Sequence, residues 1–224
     1  MRVIILGSTG VVGDGIVREA LGDRRIDAVA AVSRRPLKHT HAKLQTVLLD
    51  NFHDFEPLAP VLADVDVVLC ALGLSWYEAK SEADYRRITH DYVLACARTA
   101  SIANPAVRFC FVSGHGASLT SSQAWARIKA ETEKDLEATF GSRLTVFRPG
   151  YVHPVNGRET PYWGDTVMRP LMPFRSFMTR WITDSRQVAQ ALLHAATGAT
   201  VPSPAENKAI IAAAAAYTAS RAAR

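Results

Sequence analysis

The chain begins with an apolar run that passes through a glycine-rich turn into an amphipathic stretch. Residues 3–6 are Val-Ile-Ile-Leu, residues 7–13 are Gly-Ser-Thr-Gly-Val-Val-Gly, and Ile16 to Leu21 follow. This order predicts a strand, a tight turn and a helix start. Glycines leave backbone N–H groups open to a pyrophosphate, and the helix dipole favours negative charge there. An ordinary strand-to-helix turn, the alternative, rarely needs three glycines at this spacing. The predicted dinucleotide-binding residues are Gly7, Ser8, Thr9, Gly10, Val11, Val12 and Gly13.

Length and hydropathy indicate one globular domain without a membrane span. The chain has 224 residues, of which 48% are hydrophobic and 21% charged, and this suffices for a sheet-and-helix core over residues 1–224. The longest apolar candidate, Ala209 to Tyr217, is about half the length that crosses a bilayer. No signal-peptide pattern follows Met1, so we expect a cytoplasmic protein with no membrane partner.

Charge and cysteine usage argue against other partners. The net charge of +5 is spread along the chain without a basic cluster, and we therefore expect no nucleic-acid partner. Cys70, Cys96 and Cys110 lie far apart in apolar runs, which predicts buried free thiols. The histidines show no metal-ligand spacing, so no metal is expected.

Strands and helices alternate along most of the chain. The predicted strands are Arg2–Leu6, Ala28–Ser33, Leu44–Leu49, Val65–Ala71, Val107–Ser113 and Leu144–Arg148. The predicted helices are Gly13–Leu21, Phe55–Ala63, Ala83–Ile102, Ser121–Phe140 and Arg186–Ala196. Continuously apolar strands between helices predict an α/β fold, a three-layer doubly wound parallel sheet of the Rossmann type. The alanine-rich tail, residues 207–224, is expected to form a loosely attached helix.

Ligands of such sheets lie across the carboxyl ends of the strands. The second strand ends in Ser33-Arg34-Arg35, which suits the 2′-phosphate of NADP better than the ribose hydroxyl of NAD. Exposed arginines after a strand are the alternative. Asp50 and Asn51 close the third strand and suit the adenine edge, although Asp50 equally suits capping of the next helix.

Two later strand ends complete the predicted cofactor site. Ala71, Leu72 and Gly73 close the fourth strand, and their small, flexible backbone is suited to lie against the sugar of the cofactor. The fifth strand ends at Ser113, and Lys129 follows sixteen residues later on a predicted helix.

These motifs together resemble a known superfamily. The glycine turn, the Val-Ser-x-x-Gly-Ala strand end at residues 112–117, Lys129, and Phe-Arg-Pro-Gly at residues 147–150 are similar to the atypical and extended short-chain dehydrogenase/reductases. Within them the chain resembles the Tat-interacting-protein-like oxidoreductase and NmrA-like groups from residue 1 to about residue 197. The resemblance implies a nicotinamide dinucleotide as cofactor, with Pro149 and Gly150 beside the nicotinamide carboxamide.

The resemblance also implies catalytic roles, with one departure. In the superfamily a tyrosine four residues before the lysine transfers the proton, the lysine binds the nicotinamide ribose, and the serine orients the carbonyl. Here Trp125 stands at the tyrosine position. An indole N–H cannot release its proton near neutral pH. Ser113 and Lys129 remain candidates for polarising a carbonyl and anchoring the ribose; a helix-capping hydroxyl and a surface lysine are the alternatives.

Another group must then supply the proton. Tyr151 is the first candidate because the resemblance places the preceding turn beside the nicotinamide, with a wall of the substrate pocket or plain packing as the alternative. His115 is the second, since imidazole exchanges protons at neutral pH. Water is the third.

Residues 151–185 break the alternation and are predicted to form a small lobe over the substrate. Its apolar residues are Trp163, Met168, Leu171, Met172, Phe174, Phe177, Met178 and Trp181. Such a surface suits a hydrophobic or aromatic substrate. A cap on the sheet edge or a homodimer contact is equally compatible. Its charges nearly balance and do not identify a substrate; they are Arg158, Arg169, Arg175, Arg180, Glu159, Asp165 and Asp184.

Two function classes follow. The first is an NADP(H)-dependent oxidoreductase that acts on a small, partly apolar carbonyl, or an allied epimerase. The second is a non-catalytic NADP-sensing regulator of the NmrA-like type that contacts a partner protein. Trp125 favours the second class, whereas Ser113 and Lys129 favour the first.

Overall fold

The computed structural model describes residues 1–155 and 178–222. Its strands are β1 (Arg2–Leu6), β2 (Ala28–Ser33), β3 (Leu44–Leu48), β4 (Val67–Cys70), β5 (Arg108–Val112), β6 (Leu144–Arg148), β7 (Tyr151–His153), β8 (Ile182–Asp184) and β9 (Ala205–Glu206). Its α-helices are α1 (Val11–Leu21), α2 (Ala59–Ala63), α3 (Glu82–Arg86), α4 (Tyr92–Ala103), α5 (Ala124–Phe140), α6 (Ser185–Ala196) and α7 (Asn207–Ala222).

In the described ranges, seven strands form one parallel sheet in the order β3-β2-β1-β4-β5-β6-β9. The order reverses beside β1, because β2 lies on one side of it and β4 on the other. This reversal opens a crevice at the carboxyl ends of β1 and β4, where doubly wound sheets bind ligands. The predicted doubly wound parallel fold is confirmed.

Alternate side chains of each strand pack on opposite faces of the sheet. Ile4 and Leu6 of β1 join the core beneath α2, α4 and α5, whereas Val3 and Ile5 join the core beneath α1, α6 and α7. All four side chains are 0% exposed. Burial on both faces explains why the strands are apolar throughout.

The predicted helix Ala83–Ile102 is interrupted. A π-helical turn, Arg87–Asp91, joins α3 to α4. The predicted helix assumed a single helical period over the whole stretch, and a wider turn inside a helix has no sequence pattern of its own. Strand β9 was not predicted, because a two-residue strand carries no apolar run. The short parallel pair β7–β8 lies outside the main sheet.

The described part of the tail is docked, so the expectation of a loosely attached helix is wrong. Tyr217 of α7 is 0% exposed, and its hydroxyl donates a hydrogen bond to Asp23 at 2.7 Å. Asp23 also pairs with Arg25 at 2.7 Å. Arg221 pairs with Glu19 of α1 at 3.0 Å. Helix α7 therefore belongs to the layer formed by α1 and α6.

The predicted substrate lobe falls largely on residues that the structure does not describe. These residues are Arg158, Glu159, Trp163, Asp165, Met168, Arg169, Leu171, Met172, Phe174, Arg175 and Phe177. The lobe stays a prediction over residues 156–177. In residues 1–155 and 178–222, no helix has the length and apolar character that crossing a membrane requires. The three cysteines are buried and unbridged.

Candidate functional site

The glycine turn is shaped by close backbone approach. Gly7 has φ +78°, and a Cβ there would lie 2.5 Å from the carbonyl oxygen of Ala71. A Cβ on Gly13 would lie 1.9 Å from the carbonyl oxygen of Gly7. Gly10 is the N-cap of α1 and supplies no side-chain hydrogen bond. Glycine at the N-cap therefore lacks the capping side chain that serine or aspartate would offer to the first N–H groups of α1, and intrahelical bonds cannot satisfy these groups either.

A cavity of about 880 Å³ lies on one side of this helix start. The lining residues are Ser8, Thr9, Asp14, Arg18, Arg34, Arg35, Pro36, Leu37, Lys38 and His39. We call it the arginine cavity. It brings together four residues predicted to bind the cofactor, namely Ser8, Thr9, Arg34 and Arg35. Arg18, Lys38 and His39 were missed, because nothing local in the sequence places them beside the turn.

The arginine cavity carries more positive than negative charge. Its lining holds Arg18, Arg34, Arg35 and Lys38 against the single carboxylate of Asp14. Asp14 is itself paired, with Arg18 at 2.7 Å and with the His39 ring at 2.7 Å. Burial acts to raise the pKa of Asp14, but these two hydrogen bonds outweigh it and lower the pKa. The carboxylate is therefore held ionised and neutralised by its partners.

Arg34 and Arg35 are exposed, and within the described residues their guanidinium groups form no ion pair. Ser33 is buried, and its hydroxyl donates to the backbone carbonyl of Arg35. This bond fixes the turn that carries both arginines. Ser33 does not line the arginine cavity.

Asp50 and Asn51 lie outside the lining of both cavities discussed in this section. The Asn51 side chain accepts a hydrogen bond from the backbone N–H of His53 at 3.1 Å. Asp50 does not cap the next helical turn, whose N-cap is Phe55. The adenine-binding role of Asp50 and Asn51 stays a prediction.

A second cavity, of about 690 Å³, lies at the carboxyl ends of β4, β5 and β6. We call it the lysine cavity, after Lys129. It contains the predicted residues Val12, Ala71, Leu72, Gly73, Ser113, His115, Lys129, Pro149, Gly150 and Tyr151. Its other lining residues are Leu74, Ser75, Trp76, Tyr77, Tyr85, Val112, Gly114, Gln123, Trp125, Val152 and Trp181.

Lys129 is 8% exposed, so the surface-lysine alternative is wrong. Its Nζ donates to the carbonyl of Val112 at 3.1 Å and lies 5.1 Å from the centre of the Phe111 ring. Burial lowers the pKa of Lys129 to about 8, although nearby Cys70 and Glu133 act to raise it. An ammonium group has three N–H donors, so Lys129 retains donors for a ligand in the cavity.

Ser113 belongs to a network that sequence reasoning missed. Its hydroxyl donates to Glu133, which also accepts from Arg148 Nε at 3.0 Å. The helix-capping alternative is wrong, since Gln123 is the N-cap of α5. Glu133 stands four residues after Lys129, and that helical spacing was the available signal. The hydroxyl hydrogen of Ser113 is used by Glu133, so toward a ligand Ser113 presents lone pairs.

Trp125 lies one helical turn before Lys129 and lines the same cavity. Its indole N–H donates to the Gln123 side chain. The indole ring packs on the turn after β5, because a Cβ on Gly114 or Gly116 would lie 3.8 Å from it. Trp125 is thus a wall of the cavity.

His115 and Tyr151, the two side chains predicted to supply a proton, both line the lysine cavity. The Nδ1 atom of His115 lies 2.9 Å from a carboxylate oxygen of Glu206. The backbone N–H of Tyr151 donates to the carbonyl of Trp181 at 2.8 Å. Among the described residues, no cluster of histidine, cysteine or carboxylate side chains is suited to hold a metal ion.

Comparisons with known proteins agree with this architecture. A family model described as NAD(P)H-binding matches residues 7–199. Protein HTATIP2 of Rattus norvegicus is 32% identical over 150 residues, which are 66% of this chain and 61% of the rat protein. Protein FMP52, mitochondrial, of Eremothecium gossypii is 28% identical over 165 residues, covering 73% of this chain and 71% of that protein.

A solved structure with the same fold is a short-chain dehydrogenase from Burkholderia cenocepacia in complex with NADP. It superposes with a TM-score of 0.68 at 18% identity and covers 99% of this chain and 94% of its own. At that identity the likeness establishes the fold alone.

Proposed function

The chain belongs to the NAD(P)H-binding family, and from that premise we propose that it is an NADP(H)-dependent oxidoreductase of the atypical short-chain dehydrogenase/reductase type. Its proposed substrate is a small, partly apolar carbonyl compound, with the reaction of an allied epimerase as a variant. A cytoplasmic location and a homodimer stay predictions.

The observation that carries the proposal is the position of the start of α1 between two cavities. Ser8 and Thr9, just before α1, line the arginine cavity, and Val12, in its first turn, lines the lysine cavity. The N-cap residue, Gly10, supplies no capping side chain, so the N–H groups and dipole of the helix start suit a pyrophosphate. These residues fit a dinucleotide, whose two halves need separate compartments on either side of the phosphates.

The preference for NADP is supported by the charges of the arginine cavity. Arg34 and Arg35 follow β2, where a carboxylate would serve NAD. Asp14 lies in the same cavity, but Arg18 and His39 hold it. Two exposed guanidinium groups suit a phosphate dianion through forked hydrogen bonds.

In the lysine cavity the chain's own residues suit carbonyl chemistry. A bound nicotinamide dinucleotide exchanges a hydride with a carbonyl carbon. Lys129 is proposed to donate hydrogen bonds to the ribose, and Ser113 to accept a hydrogen bond from a hydroxyl or amide N–H of the bound ligand. Tyr151 is retained as a candidate for proton transfer. Pro149 and Gly150 form the wall beside these side chains.

The remaining lining suits an apolar substrate. Trp76 and Tyr85 stack edge to face at 5.2 Å on one side of the lysine cavity, and Trp181 lines it as well. Aromatic walls with few polar groups favour a substrate with an apolar body and one carbonyl.

A non-catalytic NADP-sensing regulator is the second candidate. It is favoured by Trp125, which occupies the tyrosine position and whose N–H already donates to Gln123. In that case binding of NADP would control contact with a partner protein, with no turnover.

Two measurements separate these functions. Fluorescence titrations with NADPH and NADH compare the coenzymes, and we expect about 100-fold tighter binding of NADPH from two additional charge-assisted contacts. NADPH oxidation is then followed with para-nitrobenzaldehyde, phenanthrenequinone and aliphatic ketones. Turnover with any of them supports the oxidoreductase. Binding of NADPH without turnover supports the regulator, and binding of neither coenzyme contradicts both.

A further inference from the structure

A continuous polar network runs behind the wall of the lysine cavity. Ser113 donates to Glu133, and Glu133 accepts from Arg148. Arg148 also lies 3.6 Å from Glu206, whose other carboxylate oxygen is 2.9 Å from His115. Both ends of the network, Ser113 and His115, line the cavity.

His115 is held on several sides. Its backbone N–H donates to the carbonyl of Pro149 at 2.9 Å. Its ring meets the Trp181 ring edge to face, with centroids 4.9 Å apart. Because Nδ1 is hydrogen-bonded to Glu206, Nε2 is the ring nitrogen that can contact a ligand. The side chain is 32% exposed, which lets water reprotonate it.

A histidine oriented by a carboxylate is a recurrent arrangement for proton transfer, because the carboxylate fixes the ring and stabilises the imidazolium. Trp125 cannot perform this step. A free phenol holds its proton at neutral pH, whereas imidazole exchanges protons readily there. The contact between His115 Nδ1 and Glu206 fixes the ring, and it therefore favours His115 over the other side chains of the cavity.

We propose that His115, positioned by Glu206, transfers the proton in the reaction of the lysine cavity. This inference rests on the proposed oxidoreductase function. In reduction, the carbonyl carbon receives a hydride from the reduced nicotinamide, and the π electron pair of the C=O bond moves to oxygen. That oxygen takes the proton from Nε2 of the imidazolium, and water then reprotonates the neutral ring. In oxidation of the alcohol, neutral His115 accepts the proton.

The test compares His115→Ala, Glu206→Gln and the double variant with the parent protein in the carbonyl assay. Loss of general acid catalysis should lower kcat about 100-fold in His115→Ala. Loss of the orienting charge should lower kcat about tenfold in Glu206→Gln. The double variant should be no slower than His115→Ala, because Glu206 acts through the ring. Added imidazole should restore part of the turnover of His115→Ala.

Two readouts do not depend on turnover. The dissociation constant of NADPH should stay within about twofold in each variant, as expected for side chains that are not coenzyme ligands. Proton NMR should show a downfield histidine N–H that disappears in His115→Ala and shifts upfield in Glu206→Gln. His53→Ala is the matched control; its ring packs on Tyr92 instead, and the variant should keep both turnover and this resonance.

The outcomes separate this inference from the proposed function. If the parent protein turns over carbonyls but His115→Ala keeps more than half of kcat, His115 is not the proton donor and the oxidoreductase assignment stands. A large loss in Tyr151→Phe would then assign the step to Tyr151. Absence of imidazole rescue, or additive losses in the double variant, also overturns the inference. If the parent protein reduces no carbonyl, the proposed function itself is contradicted.

Discussion

The Ser113 hydroxyl donates its hydrogen to the Glu133 carboxylate, which also binds the guanidinium of Arg148. Toward the cavity, Ser113 is therefore a hydrogen-bond acceptor. A serine has one O–H donor, so in this arrangement it cannot also polarise a carbonyl oxygen. The serine suits an incoming hydroxyl or amide N–H, and proton donation falls to a different side chain.

Replacement of Glu133 should destabilise the fold. Its side chain is 11% exposed, and Glu133→Gln removes the charge that Arg148 is paired with. We expect a loss of about 2 kcal/mol in the free energy of unfolding, measured by urea denaturation. Glu137→Gln, on the exposed face of the same helix, is the control and should cost less than about 0.5 kcal/mol. Equal effects of the two changes would contradict the network.

Coenzyme choice should depend on the two arginines after β2. Arg34→Ala with Arg35→Ala should weaken NADPH binding about 100-fold, because two charge-assisted contacts are lost. NADH binding should change less than about twofold, since NADH lacks the 2′-phosphate. Fluorescence titration measures both. Arg98→Ala, an exposed arginine on α4, is the control; parallel losses of NADPH and NADH affinity would argue against a phosphate site.

A phenol at position 125 should take over proton transfer. Trp125 and Lys129 lie one turn apart in the same cavity, so Trp125→Tyr places a hydroxyl beside the ammonium group. When Trp125→Tyr is added to His115→Ala, we expect kcat to rise at least about tenfold above that of His115→Ala alone. Trp125→Phe in the same background supplies a ring without a hydroxyl and should restore none. A failure of the tyrosine variant to exceed the phenylalanine variant would contradict the expectation.

Gly7 and Gly198 both have positive φ, and their replacement by alanine separates steric clash from backbone strain. Gly7→Ala adds both, because φ is +78° and the new Cβ would meet Ala71 at 2.5 Å. Gly198→Ala adds strain alone, since nothing lies within 4 Å of its Cβ position. We expect Gly7→Ala to lower the free energy of unfolding by about 3 kcal/mol and Gly198→Ala to lower it by about 1 kcal/mol. Equal losses in denaturation experiments would refute the close approach of the turn to β4.

Acid should weaken the docking of α7. Burial acts to raise the pKa of Asp23, but hydrogen bonds from Arg25 and Tyr217 outweigh it and lower the pKa to about 2 from 3.8. The folded state then holds fewer protons than the unfolded state between these values. The contribution of Asp23 to the free energy of unfolding is fully present above about pH 4. It should fall by about 2 kcal/mol as the pH drops to about 2. Urea denaturation across this range measures it.

Asp23→Asn should flatten the acid dependence of stability in that experiment. The exposed Asp50→Asn is its control and should leave the slope of the parent protein unchanged. A slope in Asp23→Asn as steep as that of the parent protein would show that other carboxylates account for the acid sensitivity.

Local patterns predicted the first strand, the glycine turn and α1, because the constraint that selects glycine at Gly7 and Gly13 acts within a few residues. The doubly wound parallel sheet also followed from the alternation of apolar strands and helices. The docking of α7 was missed because its buried side chains are scattered among alanines, which have no distinctive hydropathy pattern.

The candidate site was only partly predictable. Glu133 was within reach of sequence reasoning through its helical spacing from Lys129. Glu206 was not, since it reaches His115 across 91 residues and lies on a strand of two residues. The pairing of His39 with Asp14 likewise depends on how a loop folds back on α1.

The arginine cavity and the lysine cavity share no lining residue within the described ranges. Under the proposed function, coenzyme selectivity and carbonyl chemistry consequently lie in separate cavities, and each can evolve or be redesigned on its own. Exchange of residues 34–39 for a loop with an acidic side chain offers a route to a variant that uses NADH and leaves the lysine cavity unchanged. Selection on the lysine cavity could in turn change the range of substrates while the coenzyme stays the same.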